Sequence, residues 1–209
     1  MLNTDSFEQA LYEDGKRAFG KIIEEKGEDL YVIGLYHFGG WDAVMPLFNT
    51  HSDLVPLQEV TYGEDQKGYE LGVKWCPSDF PSLEEYHEYF DRSTREIQRL
   101  RGQFDELGED LQAHWQQTLK AMQRVLNRLD AEGVFSQRVN RDNLTLYIAN
   151  YDEDYSCRYE RVKKLNPESV LKRVSSEFEY MINLHEKWQR ELLAEMAAEL
   201  KAESDGRLE

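Results

Sequence analysis

Residues 29–38, DLYVIGLYHF, constrain the fold more than any other stretch of this chain. After the leading aspartate nearly every position is apolar or aromatic. A strand with one wet face alternates, and this one does not, so the segment predicts a central β-strand covered on both faces. The expected fold class is α+β. It comprises a small, mainly antiparallel sheet of about four strands packed with helices, and a long C-terminal helix. One domain is expected over 1–203, with a frayed tail at 204–209 that ends in a Leu-Glu of the kind an expression vector leaves.

The elements around that strand follow from period and punctuation. Residues 5–26 space Phe7, Leu11, Ala18, Ile22 and Ile23 on one helical face, with Thr4 or Asp5 as cap and Gly27 as stop. Gly39-Gly40 marks a turn, after which WDAVMPLFNT returns as an antiparallel partner, bulged or at an edge because of Pro46. Asn49, Thr50 or Ser52 can cap a short helix, and 62–68 reads as a polar loop. YELGVKW, residues 69–75, alternates enough for a third strand carrying Tyr69, Leu71, Val73 and Trp75 on one face. Ser82 and Glu85 match a capping box, which places a helix start near 83.

A second helix is predicted over 105–131, with Leu107, Leu111, Trp115, Leu119, Met122, Val125, Leu126 and Leu129 at helical spacing. NLTLYIANY, 143–151, is the fourth strand. Asn166 and Pro167 open the last helix, where Val174, Phe178, Met181, His185, Trp188, Leu192 and Met196 recur in near-heptad fashion. Either it lies along the whole domain or its end protrudes and packs on a partner, and packing on its own chain is the favoured reading.

Charge and cysteine content bound the function. The net charge is −16 over 209 residues. Residues 1–90 hold 18 Asp/Glu against 6 Lys/Arg, a net of −12, while 91–209 hold 23 against 19. Such a surface repels phosphate backbones, so direct nucleic-acid binding is the most disfavoured class, and it attracts a basic partner. No run approaches the roughly 20 apolar residues of a membrane helix. The acidic N-terminus lacks the order of a secretory signal. Cys76 and Cys157 form neither a disulfide framework nor a CxxC pair, which points to a reducing, cytoplasmic setting.

Motifs for chemistry are not found. His37, His51, His87, His114 and His185 share no HxH or HExxH spacing, and His114 and His185 read as core or boundary histidines. Asp152-Glu153-Asp154 lacks the glycine and distal glutamate of a calcium loop. Cys76 has no visible paired histidine or oxyanion loop, so a structural cysteine is favoured over a nucleophile. The glycines match neither GxGxxG nor the Walker pattern. The expectation is a non-enzyme without cofactor or metal. At WCPSD, Trp75 reads as a core plug ending the third strand and Pro77 as its breaker, with Asp79 or Ser82 capping the next helix.

Three ordered segments carry a resemblance: LYVIGLYHFGGWDAVMPLFNTHSDL, GVKWCPSDF, and NLTLYIANYDEDYSCRYERVKKLNPESV. Together they resemble a bacterial family, domain of unknown function 4303, across most of residues 5–185. Lys74, Cys76 and Phe80 depart from that family's strand-end pattern of Arg-Trp-Ser-Pro-x-x-Trp, as suits a structural corner. Members of the family are similar in size and context to immunity proteins. The resemblance therefore implies an antitoxin-like protein, a monomer or homodimer, that binds and neutralises a cognate protein toxin with a basic surface. The partner-binding surface is expected at Asp42, Tyr62, Glu64, Asp65, Asp152, Glu153, Asp154 and Tyr155, where tyrosines stand near acids. The alternative is a non-catalytic regulatory domain that binds a small molecule or peptide.

Overall fold

The computed structural model describes residues 3–38, 42–58, 65–107, 111–151 and 153–206. Strand β1, Leu30–Phe38, is buried along almost its whole length and lies in the middle of the sheet, in the order β2-β1-β3. β2, Ala43–Thr50, pairs with it antiparallel, and Pro46 stands opposite Leu35 on that outer strand. An edge is where a residue without an N–H costs no ladder bond. The irregularity in pairing falls between Leu30 and Val32 rather than at Pro46.

β3, Thr145–Asn150, pairs with β1 in parallel, from Val32 opposite Thr145 to His37 opposite Asn150. Gly34 sits opposite Tyr147, and a Cβ there would lie 1.7 Å from the Tyr147 carbonyl oxygen. The close approach of β1 to β3 thus requires glycine.

The sheet therefore departs from the expected one. It has three strands among the described residues, and one of its two contacts is parallel. The segment expected as a third strand is instead helix α3, Gln66–Trp75. Asp65 caps it, its carboxylate accepting from the Gly68 N–H at 2.9 Å. Leu71 and Trp75 are four residues apart and both buried, as helical spacing allows. Over seven residues an alternating pattern and a helical one share too many positions to be separated.

Helices cover both faces, as the continuous apolar run of β1 demands. On one side α1 (Asp5–Lys26), α4 (Asp91–Leu107) and α5 (Leu111–Ala131) pack on Ile33, Leu35, Leu146 and Ile148. On the other, α3, α6 (Tyr155–Leu165) and α7 (Glu168–Gly206) pack on Val32, Tyr36, Tyr147 and Ala149. The short α2, His51–Gln58, follows β2, with the Thr50 hydroxyl accepting from the Asp53 N–H at 3.1 Å.

Several boundaries move. The helix expected from 83 begins at Asp91, because Tyr86 takes a left-handed backbone (φ 61°) and a 3-10 turn, His87–Phe90, intervenes. Ser82 caps nothing there; its hydroxyl donates to the Phe48 carbonyl. The cap of α4 comes from across the core, where buried Asp14 accepts from the Ser93 N–H at 3.0 Å and its hydroxyl at 2.7 Å. The helix expected over 105–131 begins at Leu111; residues 108–110 and the side chains of Leu107 and Leu111 lie outside the described set, as do 39–41 and 59–64.

Helix α6 has no counterpart among the expected elements. Asn166, expected as a cap for α7, braces β3 instead: its amide accepts from the Leu146 N–H and donates to the Leu146 carbonyl, both at 2.8 Å. α7 is buried through Val170, Val174, Phe178 and Met181, yet every residue from 186 to 198 is exposed. Its far half is therefore largely open to water rather than packed along its own chain.

Trp75 does plug the core, at the end of a helix rather than a strand. It is fully buried, its indole N–H donates to Glu177 at 2.7 Å, and its ring meets Tyr31, Tyr147 and Phe178.

Candidate functional site

Parallel pairing brings the carboxyl ends of β1 and β3 to one edge of the sheet. In open sheets that edge is where ligands collect, because the following loops and helix N-termini converge there. Here β3 runs through Tyr151 into the first turn of α6, and the corner after α3 folds over from the side. α7 crosses above. Two cavities open between these elements and share Cys76 and Tyr155.

The first, of about 480 Å³, is mostly apolar and lies between α3 and α7; Gly68, Gly72, Val73, Met181 and Trp188 are among its walls. The glycines in α3 keep that helix face low. The second, of about 410 Å³, is more polar and lies over the strand ends, among Tyr36, Ser78, Tyr151, Arg158 and His185.

The electrostatics of the corner argue against thiolate chemistry. Burial, and then the neighbouring Asp79 carboxylate, push the Cys76 thiol above its ordinary value, so it stays protonated at neutral pH. Burial likewise raises Tyr36 and Tyr155, and holds Tyr147 up to about 12. These hydroxyls are neutral donors and acceptors, fit for binding rather than for proton abstraction.

The expected partner-binding residues separate into groups. Asp65, Glu153, Asp154 and Tyr155 all border the paired cavities. Three of the four have partners within the chain. Glu153 is held by Arg161, which also donates from Nε to the Ile148 carbonyl at 3.1 Å. Asp65 caps α3 and accepts from the Tyr180 hydroxyl at 2.8 Å. Asp154 faces His185 at 2.9 Å, which also makes His185 a rim residue rather than part of an apolar stripe. Tyr62, Glu64 and Asp152 lie outside the described residues.

Asp42 lies on the opposite face of the sheet and points inward. Its carboxylate meets His114 Nε2 at 3.1 Å, with Arg101 at 3.8 Å and His37 Nε2 at 3.9 Å. His37 is fully buried, bonds Asn150 Oδ1 through Nδ1 at 2.8 Å, and burial holds its pKa below the ordinary histidine value. This is an interior polar brace between β1, β3 and α5. Among the described residues no group of three His, Cys, Asp or Glu side chains is arranged to hold a metal.

Arg158 is the cavity residue that sequence reasoning passed over. It is 8% exposed, borders the polar cavity, and its Nε has no hydrogen-bond partner. The available signal was the spacing of Arg158, Arg161, Val162 and Leu165 along SCRYERVKKL, one helical face that happens to carry two arginines. A hydrophobicity pattern does not register such a face.

The fold and the paired cavities define a layered α+β domain with a ligand-sized crevice at the carboxyl edge of its one parallel strand pair. The chain belongs to the family described as Domain of unknown function (DUF4303), which it matches over residues 11–167. No curated protein and no solved structure matches it. Among the described residues no helix is long and apolar enough to cross a membrane.

Proposed function

We propose that this protein is an antitoxin-like immunity protein that binds and neutralises a cognate bacterial toxin in the cytoplasm of the producing cell. The observation that carries this reading is the far half of α7. Trp188, Leu192 and Met196 recur at four-residue spacing and are 52%, 57% and 50% exposed, with Leu193 beside them. Spacing of this kind makes one apolar stripe along a helix, and a stripe left open to water is a docking surface for another chain. Trp188 also borders the apolar cavity, so stripe and crevice are continuous. Large aromatic anchors beside a pocket are the usual energetic centre of an interface.

The partner's chemistry follows from charge. The −12 of residues 1–90 favours a basic surface, and Asp65 and Asp79 border the cavity from which the stripe emerges. Co-expression with the product of the adjacent gene tests the reading. Rescue of growth and a co-purifying complex are expected, and both are lost on Trp188→Ala with Leu192→Ala. Absence of complex and of rescue for the unmodified chain refutes it.

A second reading, a regulatory domain that binds a small molecule, is favoured by the separate polar cavity and its buried arginine. It accounts for Arg158, which the stripe does not.

A further inference from the structure

Most arginines in buried positions are matched to a carboxylate, because an unmatched charge loses its hydration for nothing in return. Arg161 shows the rule, gripping Glu153 from the next turn of α6. Arg158 breaks it. Among the described residues no carboxylate lies within salt-bridge distance of its guanidinium, and its Nε–H has no acceptor. Its neighbours are uncharged: the Tyr155 ring, 5.2 Å from the guanidinium carbon, the Tyr147 hydroxyl and the Cys76 thiol.

The start of α6 adds a positive potential to that end of the cavity. α6 begins at Tyr155, and Asp154 at its N-cap makes no side-chain capping bond to the helix. The first-turn N–H groups therefore keep their partial positive charge uncapped by a side chain, and a helix start of this kind binds anions. Asp154 turns to His185 instead, and Glu153 is neutralised by Arg161. Both acids at the cavity rim are thus compensated, which leaves Arg158 as the cation without a matched acid in that cavity.

We infer that the polar cavity between the ends of β1 and β3 and the start of α6 binds the carboxylate or phosphate group of a small molecule, gripped by Arg158. The tyrosines at 36, 151 and 155 form flat walls suited to an apolar body behind that group. A guanidinium offers a fork of parallel donors, so a planar carboxylate meets it with two bonds, and a phosphate oxygen pair does the same. This assignment rests on the second functional reading and is independent of toxin docking on α7.

The test is amide chemical-shift mapping on the full chain with three probes: benzoate, neutral benzamide and inorganic phosphate. The expected result is saturable movement of the Tyr155, Ser156 and Cys157 amides with benzoate or phosphate, and none with benzamide. Which anion acts tells carboxylate from phosphate. Arg158→Gln is expected to weaken binding at least about tenfold, the loss of a bidentate charged contact. Ser78→Glu guards against a folding defect. Ser78 is an exposed residue bordering the cavity, and a glutamate there would seat a competing carboxylate beside Arg158. It should abolish binding with the melting temperature maintained or raised.

Equal binding of benzamide would leave a small-molecule cavity standing but overturn the anion assignment. So would binding unchanged by Ser78→Glu. No movement with either anion up to about 10 mM, enough to fill a site of millimolar Kd, overturns it as well.

Discussion

Replacing Trp75 by alanine probes the corner that joins α3 to the rest of the protein. The indole is fully buried in the second core, edge-on to Tyr31 and inclined against Phe178 at 4.9 Å between ring centres. Deleting a buried aromatic of this size costs about 3–5 kcal/mol, from lost transfer energy and the cavity left behind. The polar contribution is separable. Nε1 donates to Glu177 Oε2 at 2.7 Å while Lys74 Nζ holds Oε1 of the same carboxylate at 2.8 Å. Trp75→Phe keeps most of the ring contact and removes only the indole donor, a bond to a charged group worth about 1.5–3 kcal/mol.

For a chain of this length each kcal/mol moves the midpoint by about 2–4 °C, so Trp75→Ala should lower Tm by about 6–20 °C, and Trp75→Phe by less. Thermal unfolding followed by far-UV circular dichroism reads both. A Trp75→Ala variant that melts within about 2 °C of the parent would refute the packing argument. Should that variant also lose a bound partner, the corner is a recognition element instead. If Trp75→Phe costs as much as Trp75→Ala, the anchor is the Glu177 bond and not the ring.

Other perturbations test different parts of the molecule. Gly34→Ala forces a methyl to within 1.7 Å of a backbone oxygen that cannot rotate away. It should therefore separate β1 from β3 and yield insoluble or unfolded protein, whereas Gly20→Ala, with open space around it, should purify normally. Asp14→Ala removes the distant cap of α4 and should cost about 2 kcal/mol in urea denaturation, a value between one and two charge-assisted bonds. Glu132 is held at about 2, chiefly by the Tyr12 hydroxyl and then by Lys16. A depressed carboxylate adds stability above its ordinary value of 4.5 that is lost as pH falls toward 2. Melting temperature should therefore decline over that window, and Tyr12→Phe should flatten the decline.

Some of this architecture was legible because single segments carried complete signals. β1 is apolar on both faces and could only be a central strand, and α1 presents its buried face at regular spacing between a polar start and Gly27. The order of segments was enough to indicate the family. Short windows were less informative. YELGVKW fits both periods, and Asp65, whose carboxylate decides for helix, stands four residues before it. Ser82 and Glu85 satisfy a capping pattern, yet the Ser82 hydroxyl is taken by a carbonyl 34 residues earlier.

The site was less legible than the fold. Asp42 and Asp154 look alike as exposed acids in a sequence, but one is turned into the interior toward His114 and the other stands at the cavity rim beside His185. The parallel pairing of β1 with β3 is a choice between partners more than a hundred residues apart, which no local pattern encodes. It is also what creates the crevice, since only parallel strands deliver both carboxyl ends, and the helix that follows one of them, to the same edge. Composition and periodicity determined that this chain has a sheet buried between helices, because apolar surface must leave water wherever it lies. Tertiary structure alone decided that Arg158 would be buried without a carboxylate, because a charge is matched or left unmatched by neighbours in space, not in sequence.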